Sequence, residues 1–212
     1  MENVKAILFD MDGVLLNSEY AIRQCSIDML AEYGVNACHD DFIPYTGMGE
    51  DRFIGGVAEK YGLAYDKKMK DRTYELYGQH PEWVETFAGI AEFIWELKKT
   101  YRLAVASSAD EVKVAINLNC IGLSKSDFDA IVTGTQIKRK KPDPEIYLTA
   151  ASLLNVSPTD CIVVEDAVAG VKAGIAAGAK VIGILGSFSQ AELSQAGAQW
   201  ICKKTTDIKN LL

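Results

Sequence analysis

Six short apolar runs constrain this chain more than any other feature: residues 4–9, 103–106, 130–132, 161–164, 181–185 and, weakest, 200–202. Several lack polar alternation, the pattern of strands covered on both faces. The first breaks off abruptly at Asp-Met-Asp-Gly, which reads as a buried strand running into a turn. Segments with helical character separate the later runs, at 90–99, 111–119, 144–154 and 167–177. Alternating strands and helices predict a doubly wound, mainly parallel α/β sheet of Rossmann-like type.

The stretch after the first strand reads differently. Helical patterns at 18–33, 49–61 and 66–77 are followed by Gly34, Gly62 and Gly78, and glycine just past a helix end is a common stop. The expectation is a two-domain chain, with residues 1–16 and 84–212 forming the core and an all-helical cap inserted over 17–83.

With 212 residues, 49% of them apolar, the chain can bury a core without staples. Twenty-two basic against 29 acidic side chains leave a formal charge of −7. That disfavours nucleic acid and anionic membranes as partners, though not a small anionic substrate. No uncharged apolar run approaches the ~20 residues of a membrane span. The start, Met-Glu-Asn-Val-Lys, has no secretory pattern, and the five scattered cysteines read as mostly buried free thiols. The expected location is the cytoplasm, with no obligate protein partner. His39 and His80 are the only histidines, too few for a zinc site or a histidine triad.

Ligands of open α/β sheets bind beyond the carboxyl ends of the strands. There this sequence supplies Asp10, Asp12 and Gly13; then Ser107 and Ser108; then Thr133 and Gly134, with Lys141 a little later; then Glu165 and Asp166. Crowded carboxylates repel and call for a cation. Oxygen donors without histidine or thiol favour a hard ion, Mg²⁺ above all.

In this set the chain resembles the haloacid dehalogenase-like (HAD) superfamily, and within it the helical-cap group of β-phosphoglucomutases and small-molecule phosphatases. DMDGVL at 10–15 matches the family's first motif, Ser107 of VASS the second, Lys141 of KKPDPEIY the third, and Glu165-Asp166 of VVEDAVAG the fourth. The resemblance covers essentially the whole chain.

It implies that Asp10 is the nucleophile, forming an aspartyl-phosphate. Asp12, two residues on, would be the general acid and base. Mg²⁺ would be held by Asp10 and Asp166 and by the backbone carbonyl of Asp12, with Glu165 either a ligand through water or a support to the ligands without touching the metal. Ser107 and Lys141 would hold the phosphoryl oxygens, aided by backbone N–H groups at the following helix start. Ser108 is a candidate substrate contact there, and either serine could instead cap that helix. In the run Lys138 to Lys141, only Lys141 is expected to point inward. Gly170, Gly174 and Gly178 are expected to allow close helix-on-sheet packing. Trp83, Trp95 and Trp200 are expected in core or hinge packing.

In the cap, the stretch 46–52 reads as a loop entering a helix. Arg52 would reach the substrate's far end, or else pair with Glu50 or Asp51. Glu19, Tyr20 and Arg23 could also face substrate. Asn17 stands where the family usually has aspartate, and Ile22 where the mutases carry a histidine. The expected activity is therefore Mg²⁺-dependent hydrolysis of a small, sugar-like phosphorylated metabolite. The rivals are a β-phosphoglucomutase-like phosphotransferase, a dehalogenase, and a scaffold without turnover.

Overall fold

A computed structural model describes residues 3–45 and 49–212. In chain order its regular elements are strands β1 (Ala6–Phe9) and β2 (Leu16–Asn17), helices α1 (Glu19–Glu32), α2 (Glu50–Lys60) and α3 (Lys67–Gln79), β3 (Glu85–Thr86), α4 (Ile90–Leu97), β4 (Arg102–Ala106), α5 (Glu111–Cys120), β5 (Ala130–Val132), α6 (Glu145–Leu153), β6 (Cys161–Glu165), α7 (Val168–Ala176), β7 (Lys180–Ile184), α8 (Gln190–Ala196) and β8 (Trp200–Cys202). The chain divides into two compact units, Met1–Asn17 with Thr86–Leu212, and Ser18–Glu85.

The first unit is the doubly wound parallel fold that the apolar runs predict. Its sheet has the order β5-β4-β1-β6-β7-β8 with every pairing parallel. Ala6, Leu8, Ala104, Ala106, Val163 and Val181 line one face, in a core with Ile146, Tyr147 and Ala150 of α6 and Val171 of α7. The alternate residues Ile7, Phe9, Leu103, Val105, Ile162 and Val164 are equally buried, so the sheet is covered on both faces. β1 lies centrally. From it the chain runs outward to β4 and β5, then returns to its other side for β6, which makes the carboxyl end of β1 a switch point.

Two details of the chain differ from expectation. The polar segment that forms α8 carries no helix pattern strong enough to stand out, yet Ser189 and Glu192 form a reciprocal capping box that starts it. Of the five free cysteines, only Cys25 and Cys161 are buried, while Cys38 is exposed.

The second unit is helical. α1 packs along α3, and α2 along a 3₁₀ stretch at His39–Tyr45. Phe42 and Phe53 meet there with ring centroids 4.8 Å apart. Gly34 and Gly62 stop α1 and α2 as expected, with φ of 77° and 79°. The N–H groups of Val35 and Leu63 then bond back to the carbonyls of Leu30 and Ala58. Gly78 does not stop α3, which continues to Gln79. The stop is His80, whose backbone is restricted by the following Pro81. No described helix is long and apolar enough to cross a membrane.

Candidate active site

The sheet register brings the motif residues together. Phe9 of β1 lies level with Val105 of β4 and Val164 of β6. One position further along are Ala106, Asp10 and Glu165, side by side where the strands end. The Lys141 ammonium bridges that row. It donates to Asp10 Oδ1 at 2.5 Å, to Glu165 Oε1 at 2.7 Å and to the Ala106 carbonyl at 3.2 Å. It also lies 5.0 Å from the centre of the Tyr147 ring. Three strands and the loop after β5 thus meet at one ammonium.

Glu165 is fixed from three directions. Oε1 accepts from Lys141 and, at 2.9 Å, from the Tyr147 hydroxyl; Oε2 accepts from the Ala167 N–H at 2.9 Å. Asp166, the next residue, crowds the turn after β1. A Cβ on Gly13 would lie 2.1 Å from Asp166 Oδ2, and Gly13 also has φ of 81°, so glycine is required there twice over.

Asp10, Glu165 and Asp166 are all buried, and each offers an oxygen within 4.8 Å of the others'. Among the described residues, Lys141 is the one ammonium bonded to this group, so three carboxylates face one positive charge. Burial pushes the Asp166 carboxyl up to about 9, and the charges of Glu165 and Asp10 add to the effect. Burial likewise lifts Asp10 to about 7, against the pull of Lys141 and with the push of Glu165. Burial opposes the Lys141 charge, but Asp10 and Glu165 outweigh it and hold that group well above its usual value. The cluster lacks positive charge. A divalent cation fits both this deficit and the all-oxygen donor set.

Asp12 stands apart from the three. Its Oδ2 accepts from the Lys113 ammonium at 3.1 Å, and its side chain keeps 30% exposure. Ser107, 2% exposed, directs its N–H to the Val132 carbonyl, and its Oγ accepts from the Ala109 N–H. The N-cap of α5 is Asp110, so neither Ser107 nor Ser108 caps that helix. Lys138 and Arg139 hold Glu145 through their backbone N–H groups, the arginine side chain helping. Lys140 is exposed, but it is not idle: its ammonium ties the Gly134 and Ser108 carbonyls.

Within the second unit, Arg52 pairs with Glu59 at 2.8 Å rather than with Glu50 or Asp51, and its guanidinium lies over the Tyr45 ring. Glu19 pairs with Arg23. Thr46, Gly47 and Met48 of the expected loop lie outside the described residues. Trp95 is 45% exposed and donates to Asp127, so it is not a core residue.

Sequence reasoning passed over two residues of the site. Tyr147 lies inside KKPDPEIY, and its signal was a hydroxyl on the apolar face of α6. Lys113 gave only a faint signal, a lysine among apolar neighbours in the first turn of a helix.

A model of the haloacid dehalogenase-like hydrolase family matches residues 7–184. The chain belongs to that family and is a hydrolase of it. It is 44% identical over 204 residues to Suppressor of Quenching 1, chloroplastic, of Arabidopsis thaliana; the match covers 93% of this chain but only 19% of that much longer protein. It is 32% identical to a phosphorylated carbohydrates phosphatase of Thermotoga maritima, over 99% of this chain and 98% of the relative. A solved Thermotoga maritima structure, provisionally assigned as a β-phosphoglucomutase, superposes with a TM-score of 0.79 at 30% identity, covering 98% of both chains.

Proposed function

We propose that this hydrolase is a Mg²⁺-dependent phosphatase of a small phosphorylated metabolite of the sugar-phosphate kind, working through an aspartyl-phosphate on Asp10. The observation that carries the reading is the buried trio Asp10, Glu165 and Asp166, short of positive charge, with Lys141 bridging Asp10 and Glu165. The name of the Thermotoga phosphatase supports the substrate class.

In this mechanism an Asp10 carboxylate oxygen attacks phosphorus as the bond to the leaving oxygen breaks. Asp12 gives a proton to that oxygen, then takes one from the water that attacks the aspartyl-phosphate. Lys141 and Ser107 hold the phosphoryl oxygens as charge shifts onto them, and Ser108 contacts the substrate beside them. Glu165 and Tyr147 keep the Lys141 ammonium in place. Mg²⁺ would be held by Asp10, Asp166 and the Asp12 carbonyl, with Glu165 acting through water. When bound, the cation supplies charge that keeps the aspartates ionised and offsets the phosphoryl oxygens. Residues 17–83 act as the cap, with Arg52 and Glu19 as candidate contacts to the far end of the substrate.

Water, rather than a second sugar hydroxyl, is the acceptor in this reading. Ile22 is buried and apolar where the mutases carry histidine, and it cannot hydrogen-bond a sugar. Five free thiols suit a reducing compartment, which we take to be the cytoplasm.

The test measures phosphate release from a panel of phosphorylated metabolites, with Mg²⁺ and with EDTA. Alongside it, β-glucose 1-phosphate is supplied with a trace of the 1,6-bisphosphate. Metal-dependent phosphate release without isomer is the expected result. Rapid glucose 6-phosphate formation with little free phosphate would install the mutase instead.

A further inference from the structure

The first turn of α5 holds a cation where helix electrostatics oppose one. Lys113 is the third residue of the helix, near the positive end of its dipole, and its side chain is only 7% exposed. Burying an ammonium and placing it at a helix N-terminus are both unfavourable. Asp12 helps to offset them, its Oδ2 accepting a hydrogen bond from the Lys113 ammonium at 3.1 Å. One turn further along the same face, the fully buried Asn117 donates to the sulfur of Met11 at 3.2 Å, a weak acceptor. α5 therefore grips the DMD turn at two successive residues, and at Asp12 it does so with a charge.

We propose that Lys113 is a positioning residue for proton transfer: it holds Oδ2 of Asp12, so that Oδ1 is the oxygen that exchanges the proton with the leaving group. This rests on Asp12 being the acid and base of the proposed phosphatase. Asp12 immediately precedes the turn at residues 13–15, and its side chain keeps 30% exposure. A carboxylate so placed samples several rotamers unless something fixes it, and misorientation at a reacting proton is costly in rate. The Lys113 ammonium supplies the fixed point, and rigid α5 supplies the backing.

The experiment compares two synthetic esters of matched shape. p-Nitrophenyl phosphate has a leaving group that departs without a proton; p-nitrobenzyl phosphate has an alkoxide that needs one. The quantity read is kcat/KM, which stops at the first irreversible step. Lys113→Met should lower kcat/KM for the benzyl ester roughly 10- to 100-fold, a fraction of the usual worth of a general acid, while the phenyl ester changes less than about threefold. Lys113→Arg should recover most of the loss, and melting curves should show a folded protein in each case. Should Lys113→Met not fold, Lys113→Gln is read in the same way. Asp12→Asn should show the same selectivity, and more of it.

The outcomes separate the two claims. If Asp12→Asn slows both esters alike, the acid role of Asp12 falls. If Asp12→Asn is selective but the Lys113 variants match wild type, slow both esters equally, or raise KM alone, the positioning role of Lys113 is overturned while the phosphatase reading stands.

Discussion

Gly170 has no side chain because Glu165 occupies the space: a Cβ at Gly170 would lie 1.6 Å from Glu165 Oε1 and 2.5 Å from Oε2. Glu165 cannot step aside freely, since Lys141, Tyr147 and the Ala167 N–H all hold it. Gly170→Ala should therefore break those bonds as well as overpack α7. The expected destabilisation is about 1–3 kcal/mol, read as a lower melting temperature, together with a large fall in kcat. Gly174→Ala is the contrast. Its Cβ would meet Val181 at 2.8 Å and Val163 beyond it, so it should destabilise similarly but leave the folded enzyme's turnover intact. Equal kcat losses in the two variants would show that Glu165 is not what makes Gly170 special.

Asp10→Asn keeps the shape of the side chain but removes its nucleophilicity and one charge from the trio. Phosphate release should fall to background while the protein stays folded, because no aspartyl-phosphate can form. Residual turnover within about tenfold of wild type, far from the full cost of losing a nucleophile, would sink the covalent mechanism.

Much of this site was legible because each motif residue follows directly on an apolar run. Asp10, Ser107, Glu165 and Asp166 need only the rule that ligands gather beyond the strand ends, and parallel register then places them in one row. Lys141, in a loop nine residues past β5, could be placed near the strand ends, but its role as a phosphoryl contact came from the family resemblance. Lys113 was out of reach, because its partner Asp12 is 101 positions away and a lysine among apolar neighbours is only a faint mark. Gly170 was read as a packing glycine against the sheet. That account suits Gly174, which abuts Val181 and Val163, whereas Gly170 serves the Glu165 carboxylate and Gly178 is a left-handed residue with φ of 85°. Three glycines at equal spacing thus meet three different demands: room for a carboxylate, close packing on the sheet, and a left-handed helix end.

Tyr147→Phe tests the support of Glu165 from α6. Tyr147 is fully buried, and removing its hydroxyl leaves the ring's packing intact while Glu165 Oε1 loses one of its two donors. The expected effect on kcat is modest, about 3- to 10-fold, in keeping with one net hydrogen bond. Unchanged kcat in Tyr147→Phe would remove Tyr147 from the site.

The sharpest test of the charge deficit compares stability with and without metal across pH. Asp166 titrates near 9 in the folded chain because burial, then Glu165 and Asp10, oppose its ionisation. In the unfolded chain it would titrate near the ordinary aspartate value of about 4. A folded-state pKa raised above the unfolded one contributes stability that is complete below the unfolded value and is lost as pH rises through the folded one. In EDTA, wild type should therefore lose stability steadily between about pH 4 and pH 9. Asp166→Asn cannot ionise at that position and should lose much less. Its melting temperature should match wild type near pH 4 and exceed it by several degrees at pH 8. Mg²⁺ should reverse the order, because the cation binds the folded wild type through Asp166 and raises its melting temperature with concentration, while Asp166→Asn responds weakly. If wild type in EDTA is the more stable of the two throughout pH 6–9, the carboxylates are not short of positive charge, and the case for a divalent cation at Asp10, Glu165 and Asp166 loses its physical basis.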